Sequence, residues 1–67
     1  MIILRINGQQ QQLPASISVT NLLDTLGMTG KRVAVELNGD IVPRSQHEQT
    51  LLNDADQLEI VVAVGGG

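Results

Sequence analysis

The stretch Leu58-Glu59-Ile60-Val61-Val62-Ala63-Val64 constrains the fold more than any other part of the chain, because any strand it forms is apolar on both faces. Side chains alternate across a strand, so Leu58, Ile60, Val62 and Val64 share one face while Val61 and Ala63 join Glu59 on the other. A strand of that length belongs inside a sheet rather than at its edge, and its apolar second face near the tail is out of the ordinary. We expect residues 57–64 to run centrally, parallel to the first strand. Three glycines, Gly65, Gly66 and Gly67, follow at once.

The remaining elements read as a compact α+β order. Ile2, Leu4 and Ile6 alternate with Ile3, Arg5 and Asn7, and Asn7-Gly8 supplies the residues that tolerate positive φ in a tight hairpin turn. The second arm, Gln9 to Leu13, reads as a solvated edge strand. After Pro14 the pattern changes period: Val19, Leu22, Leu23 and Leu26 form one helical stripe, with Ser18 as N-cap and Gly27 as the stop. Asn21 stands where a full capping box carries Glu or Gln. Val33, Val35 and Leu37 begin a second hairpin-like unit, which Asn38-Gly39-Asp40 turns into Ile41-Val42 before Pro43 stops the ladder. Residues 45–49 read as an irregular or single-turn link, Thr50-Leu51-Leu52 as a short strand, and Asn53-Asp54-Ala55-Asp56 as a polar turn. This order predicts one helix packed across one face of a mixed sheet.

Composition removes several function classes. A chain of 67 residues is one domain, of a size that buries only about 60% of its unfolded surface. It has no Cys, Phe, Tyr or Trp, which excludes disulfides, a thiolate nucleophile and the aromatic platforms on which single-stranded nucleic acid stacks. Four Lys/Arg against seven Asp/Glu give a net charge of -3, the wrong sign for a phosphate backbone. We expect no nucleic acid partner. Met1-Ile2-Ile3-Leu4 is broken by Arg5 and is too short for a signal peptide or a membrane span, so a cytoplasmic protein without a membrane partner is expected. His47 is the single histidine, which leaves no zinc cage and no histidine-based triad, and it reads as an ordinary loop residue. Asp54 and Asp56 lack the further oxygen ligands of a calcium loop, and no metal is expected.

The chemistry is placed at the glycine end. Without Cβ atoms, Gly65 and Gly66 can thread a channel too narrow for side chains and present the Gly67 carboxylate, ionised with a pKa of about 3.5, inside a partner. Chain ends are also commonly frayed and glycine-rich, and the three glycines alone fit that account equally. Arg44 follows Pro43, whose ring fixes the local backbone; it suits either an interfacial ion pair or an ordinary surface salt bridge.

Four stretches together carry a resemblance: Ser18-Val19-Thr20-Asn21-Leu22-Leu23, Leu37-Asn38-Gly39-Asp40-Ile41-Val42-Pro43-Arg44, Asp54-Ala55-Asp56-Gln57-Leu58-Glu59-Ile60, and Val64-Gly65-Gly66-Gly67. Over essentially its whole length the chain resembles the ThiS family of sulfur carriers in thiamin biosynthesis. It departs from that pattern in ending on three glycines where many relatives have two, and in lacking an acidic residue at the helix start. The resemblance implies a ubiquitin-like β-grasp domain over residues 1–64 and a flexible tail over 65–67. It further implies that the Gly67 carboxylate attacks the α-phosphate of ATP inside a ThiF-like adenylyltransferase. Sulfur from cysteine, through a donor such as a cysteine desulfurase, then displaces AMP. The resulting thiocarboxylate serves thiazole synthase, ThiG. On this view the chain is no enzyme, binds no cofactor itself and is a monomer when free. Gly65 and Gly66 thread the partner, and Val42, Arg44, Val61, Ala63 and Val64 form the docking surface. Residues 64 to 67, extended, reach roughly 13 Å. Two alternatives stand beside this: a MoaD-like carrier for molybdopterin synthesis, and a ubiquitin-like interaction module that carries nothing.

Overall fold

Asn7 and Gly8 have φ of 52° and 81°, and Asn38 and Gly39 have φ of 51° and 91°. These positive values are what a two-residue I′ hairpin turn requires, and Asn and Gly adopt them at least cost. The first turn joins β1 (Ile2–Ile6) to β2 (Gln9–Leu13), and the second joins β3 (Val33–Leu37) to β4 (Asp40–Val42). The computed structural model describes residues 1–62. Ala63, Val64, Gly65, Gly66 and Gly67, and so the expected end of the last strand and the whole glycine tail, lie outside the described residues.

The last strand, β5 (Gln57–Val62), takes the centre of a five-stranded sheet ordered β2-β1-β5-β3-β4. It runs parallel to β1 through Arg5↔Gln57 and Ile6↔Leu58, and antiparallel to β3 from Val33↔Val62 to Leu37↔Leu58. The glutamine strand β2 lies at the edge, paired along its whole length to β1. Both placements are as the sequence predicts.

One helix, α1 (Val19–Thr25), packs across the sheet. Ser18 caps it: its backbone is extended and its Oγ accepts the Asn21 N–H at 3.1 Å. The helix ends on a left-handed Gly27 (φ 74°), with the Gly27 N–H donating to the Asp24 carbonyl at 3.0 Å and the Met28 N–H to the Leu23 carbonyl at 2.8 Å. That pair of bonds is a Schellman cap, which satisfies carbonyls that would otherwise be orphaned. Val19, Leu22 and Leu23 are buried against Leu4, Ile6, Val35, Val42, Leu52, Leu58 and Ile60, an entirely aliphatic core. Each fully buried leucine contributes about 1.5–3 kcal/mol relative to exposure.

Three local expectations need correction. Thr50-Leu51-Leu52 is not a strand but a single antiparallel bridge, Ser18↔Leu51. Its bonds run from the Val19 N–H to the Thr50 carbonyl and from the Leu52 N–H to the Ile17 carbonyl; the ladder stops there because Val19 already starts α1. His47, expected as an ordinary loop residue, follows a 3₁₀ turn (Arg44–Gln46) in the link and is buried there. Its Nε2 lies 3.1 Å from the Val42 carbonyl oxygen, which makes that nitrogen the donor. Val42, expected on a docking surface, is buried in the core.

Candidate functional site

The site is built around the exit of β5. β1 ends at Ile6, so beyond Leu58 the central strand loses its parallel neighbour. The Asn7 side chain takes that place: its Nδ2 donates to the Ile60 carbonyl at 3.0 Å and its Oδ1 accepts the Ile60 N–H at 2.8 Å. A carboxamide carries the same donor and acceptor as a peptide group, so it extends the ladder by one unit. At the start of β5 Asn38 acts similarly, accepting the Gln57 N–H at 2.9 Å and donating to Asp56 Oδ1 at 3.0 Å. Asp56 Oδ2 accepts the Asn53 N–H at 2.7 Å, and Asp54 Oδ1 accepts the Ile3 N–H at 2.7 Å. The two aspartates therefore hold a turn. Among the described residues no group of three potential metal-ligating side chains occurs.

The sheet face away from α1 is open. Val61 stands opposite Ala34, Glu59 opposite Glu36, and Glu36 opposite Ile41. Val61 is 61% exposed and Ile41 72%. Like charges directly opposite each other destabilise a sheet, so Glu36 and Glu59 are not explained by packing; Arg5 lines the same depression.

Of the residues expected to dock a partner, Val61 lies on this open face. Val42 does not: it pairs with the fully buried Val35 and points with it toward the helix, leaving Ile41 as the outward residue of β4. Sequence analysis missed Ile41. The only signal was its parity within a three-residue strand, and that parity depends on register. Arg44 is exposed, and it lines a cavity with Lys31 and Val33 on the helix side. Ala63, Val64, Gly65, Gly66 and Gly67 lie outside the described residues.

A mixed five-stranded sheet with one helix across it, its central strand tied at both ends by turn asparagines, defines a small ubiquitin-like β-grasp protein that offers a surface rather than a catalytic cleft. The profile of the ThiS family matches residues 4–67. The sulfur carrier protein ThiS of Escherichia coli K12 is 34% identical over 61 residues, 91% of this chain and 92% of that one. A thiazole synthase of Paramagnetospirillum magneticum is 48% identical over 62 residues, 92% of this chain but only 19% of that protein, so the chain spans about a fifth of this longer relative. The crystal structure of the thiamine biosynthesis protein ThiS from Geobacter metallireducens matches with a TM-score of 0.84 at 33% identity, covering 98% of this chain and 100% of that one. The chain belongs to the ThiS family, as a sulfur carrier of thiamin biosynthesis.

Proposed function

We propose that the cargo is carried at Gly67 as a thiocarboxylate. A ThiF-like adenylyltransferase binds the carrier and ATP; a carboxylate oxygen of Gly67 attacks the α-phosphorus, pyrophosphate leaves, and an acyl-adenylate forms. A carboxylate is a poor electrophile, and AMP as leaving group removes that obstacle. A persulfide that a donor such as a cysteine desulfurase forms with sulfur from cysteine then displaces AMP, and a thiol reductant cleaves the resulting acyl disulfide to leave the thiocarboxylate on Gly67. The thiocarboxylate passes its sulfur to thiazole synthase, ThiG, and the longer relative, a thiazole synthase that includes a segment like this chain, supports that partner. All of this takes place in the cytoplasm, with the free carrier a monomer. No helix among the described residues is long and apolar enough to cross a membrane.

The observation that carries the proposal is the family match running through residue 67, on a chain whose last described element is the central strand β5. Gly65 and Gly66 thread the partner because they lack Cβ atoms; Val61, Ala63 and Val64 dock beside them.

Intact-mass spectrometry of the chain incubated with the adenylyltransferase, magnesium-ATP, cysteine, a desulfurase and a thiol reductant tests this. The expected products are an adenylate and then a species with one oxygen replaced by sulfur at Gly67. A chain that stays unmodified overturns the proposal. Gly66→Ala is expected to leave thermal stability unchanged while reducing adenylation by about tenfold or more, the cost of a methyl group in a channel shaped for bare backbone.

A further inference from the structure

Two of the four Lys/Arg residues, Lys31 and Arg44, meet at one cavity in a chain whose net charge is -3. Lys31 and Arg44 line a cavity of about 190 Å³ between the C-terminal end of α1, the 28–31 loop and the 3₁₀ turn, and Arg32 adjoins it in the chain. Among the described residues no carboxylate lines this cavity. The nearby Asp24 accepts the Thr29 hydroxyl at 2.8 Å and so is engaged within the loop. The floor is apolar, made by Leu23, Met28 and Val33. The shape holds several water volumes, enough for a short aliphatic stem ending in an anion. The wall is rigid, because His47 is buried, hydrogen-bonds the Val42 carbonyl, and accepts the Thr20 N–H on its own carbonyl at 3.1 Å.

The position of the cavity identifies what fills it. Val33 lines it, and Val33 pairs with Val62 at the exit of β5. A partner that engages the Val62 end of β5 therefore lies beside the cavity. Five residues, 63 to 67, can span up to roughly 17 Å, which allows Gly67 to react at a nucleotide remote from Lys31 and Arg44, and leaves the partner protein itself as the source of an anion for the cavity. We propose that the cavity receives a glutamate or aspartate side chain of the adenylyltransferase, its methylenes on Leu23, Met28 and Val33 and its carboxylate between Lys31 and Arg44. This deepens the proposed function and rests on it. The contact orients the carrier so that the exit of β5 faces the partner's channel; it takes no part in bond making.

The test is steady-state adenylation and calorimetric binding of the full chain with the charge-reversed pair Lys31→Glu/Arg44→Glu, and with the milder Lys31→Gln/Arg44→Gln. Both side chains are exposed, so an unchanged melting temperature is expected. Charge reversal is expected to raise KM for the carrier by about tenfold or more while kcat changes less than about twofold, as for a lost docking charge. The wild-type KM should rise with salt and the reversed variant's should not. An unaltered KM overturns the proposal, and so does a fall in kcat at constant KM, which would place the cations in the chemistry. If the wild-type chain is never adenylated, the proposed function fails; Kd for the adenylyltransferase without ATP then reads the contact independently, and a Kd indifferent to charge reversal overturns it.

Discussion

Asn7-Gly8 and Asn38-Gly39 share residues and dihedral angles, and each turn asparagine donates its backbone N–H to β5, Asn7 to the Leu58 carbonyl at 2.9 Å and Asn38 to the Gln57 carbonyl at 2.8 Å. Their side chains then part ways. Asn7 closes both bonds of the Ile60 peptide in a partly buried position, while Asn38 bonds Gln57 and Asp56 in an exposed one. The difference arises from the neighbours of β5. On the β3 side the antiparallel ladder continues to Val62, but on the β1 side it stops at Leu58, so only Asn7 stands in for a missing strand. Identical turn chemistry thus ties the start of β5 in one hairpin and, in the other, takes the place of the parallel strand that ends opposite Leu58.

The largest effect that could break this comparison comes from Asn7→Gly. Glycine keeps the positive φ, so the variant isolates the side-chain bonds, and leaving the Ile60 N–H and carbonyl unpartnered is expected to cost about 1–3 kcal/mol in urea denaturation. Hydrogen exchange at the Ile60 amide should accelerate along with it. Asn38→Gly is expected to cost less, under about 1 kcal/mol, because water replaces the lost partners at an exposed site; equal costs for the two variants would mean that the Asn7 contact is not an anchor. The smallest effect is Glu36→Gln, which relieves the repulsion opposite Glu59 and should stabilise the chain by about 0.2–1 kcal/mol at low salt, fading as salt is raised. A destabilisation there would show that Arg5, which lines the same depression, already compensates both carboxylates.

Much of this was legible along the chain. Both hairpin turns, the edge position of the glutamine strand, the Ser18 cap and the central place of β5 follow from residues acting on their own backbone or from the length of the last strand. Val42 was not legible: β4 has three residues, too few to show a period, and only its pairing with Val35 turns Val42 inward and Ile41 outward. His47 was misread for a related reason. A polar residue between Ser45 and Glu48 gives no hint of burial, and only the 3₁₀ turn places its ring against the Val42 carbonyl. The cationic cavity was equally hidden, because Lys31 and Arg44 belong to separate links that meet through the fold.

Properties that depend on a residue and its immediate neighbours were settled by the chain alone: turn dihedrals, helix cap, aliphatic core, the bare glycine end and, through motif, membership of the ThiS family. Tertiary structure decided which way Val42 and Ile41 point, that Asn7 completes the ladder at Ile60, and that the scattered cations share one cavity. The physical reason is range. Dihedral preference and capping act within a few residues, whereas strand register and charge clustering are set by packing between segments far apart in sequence, which local chemistry permits but does not choose.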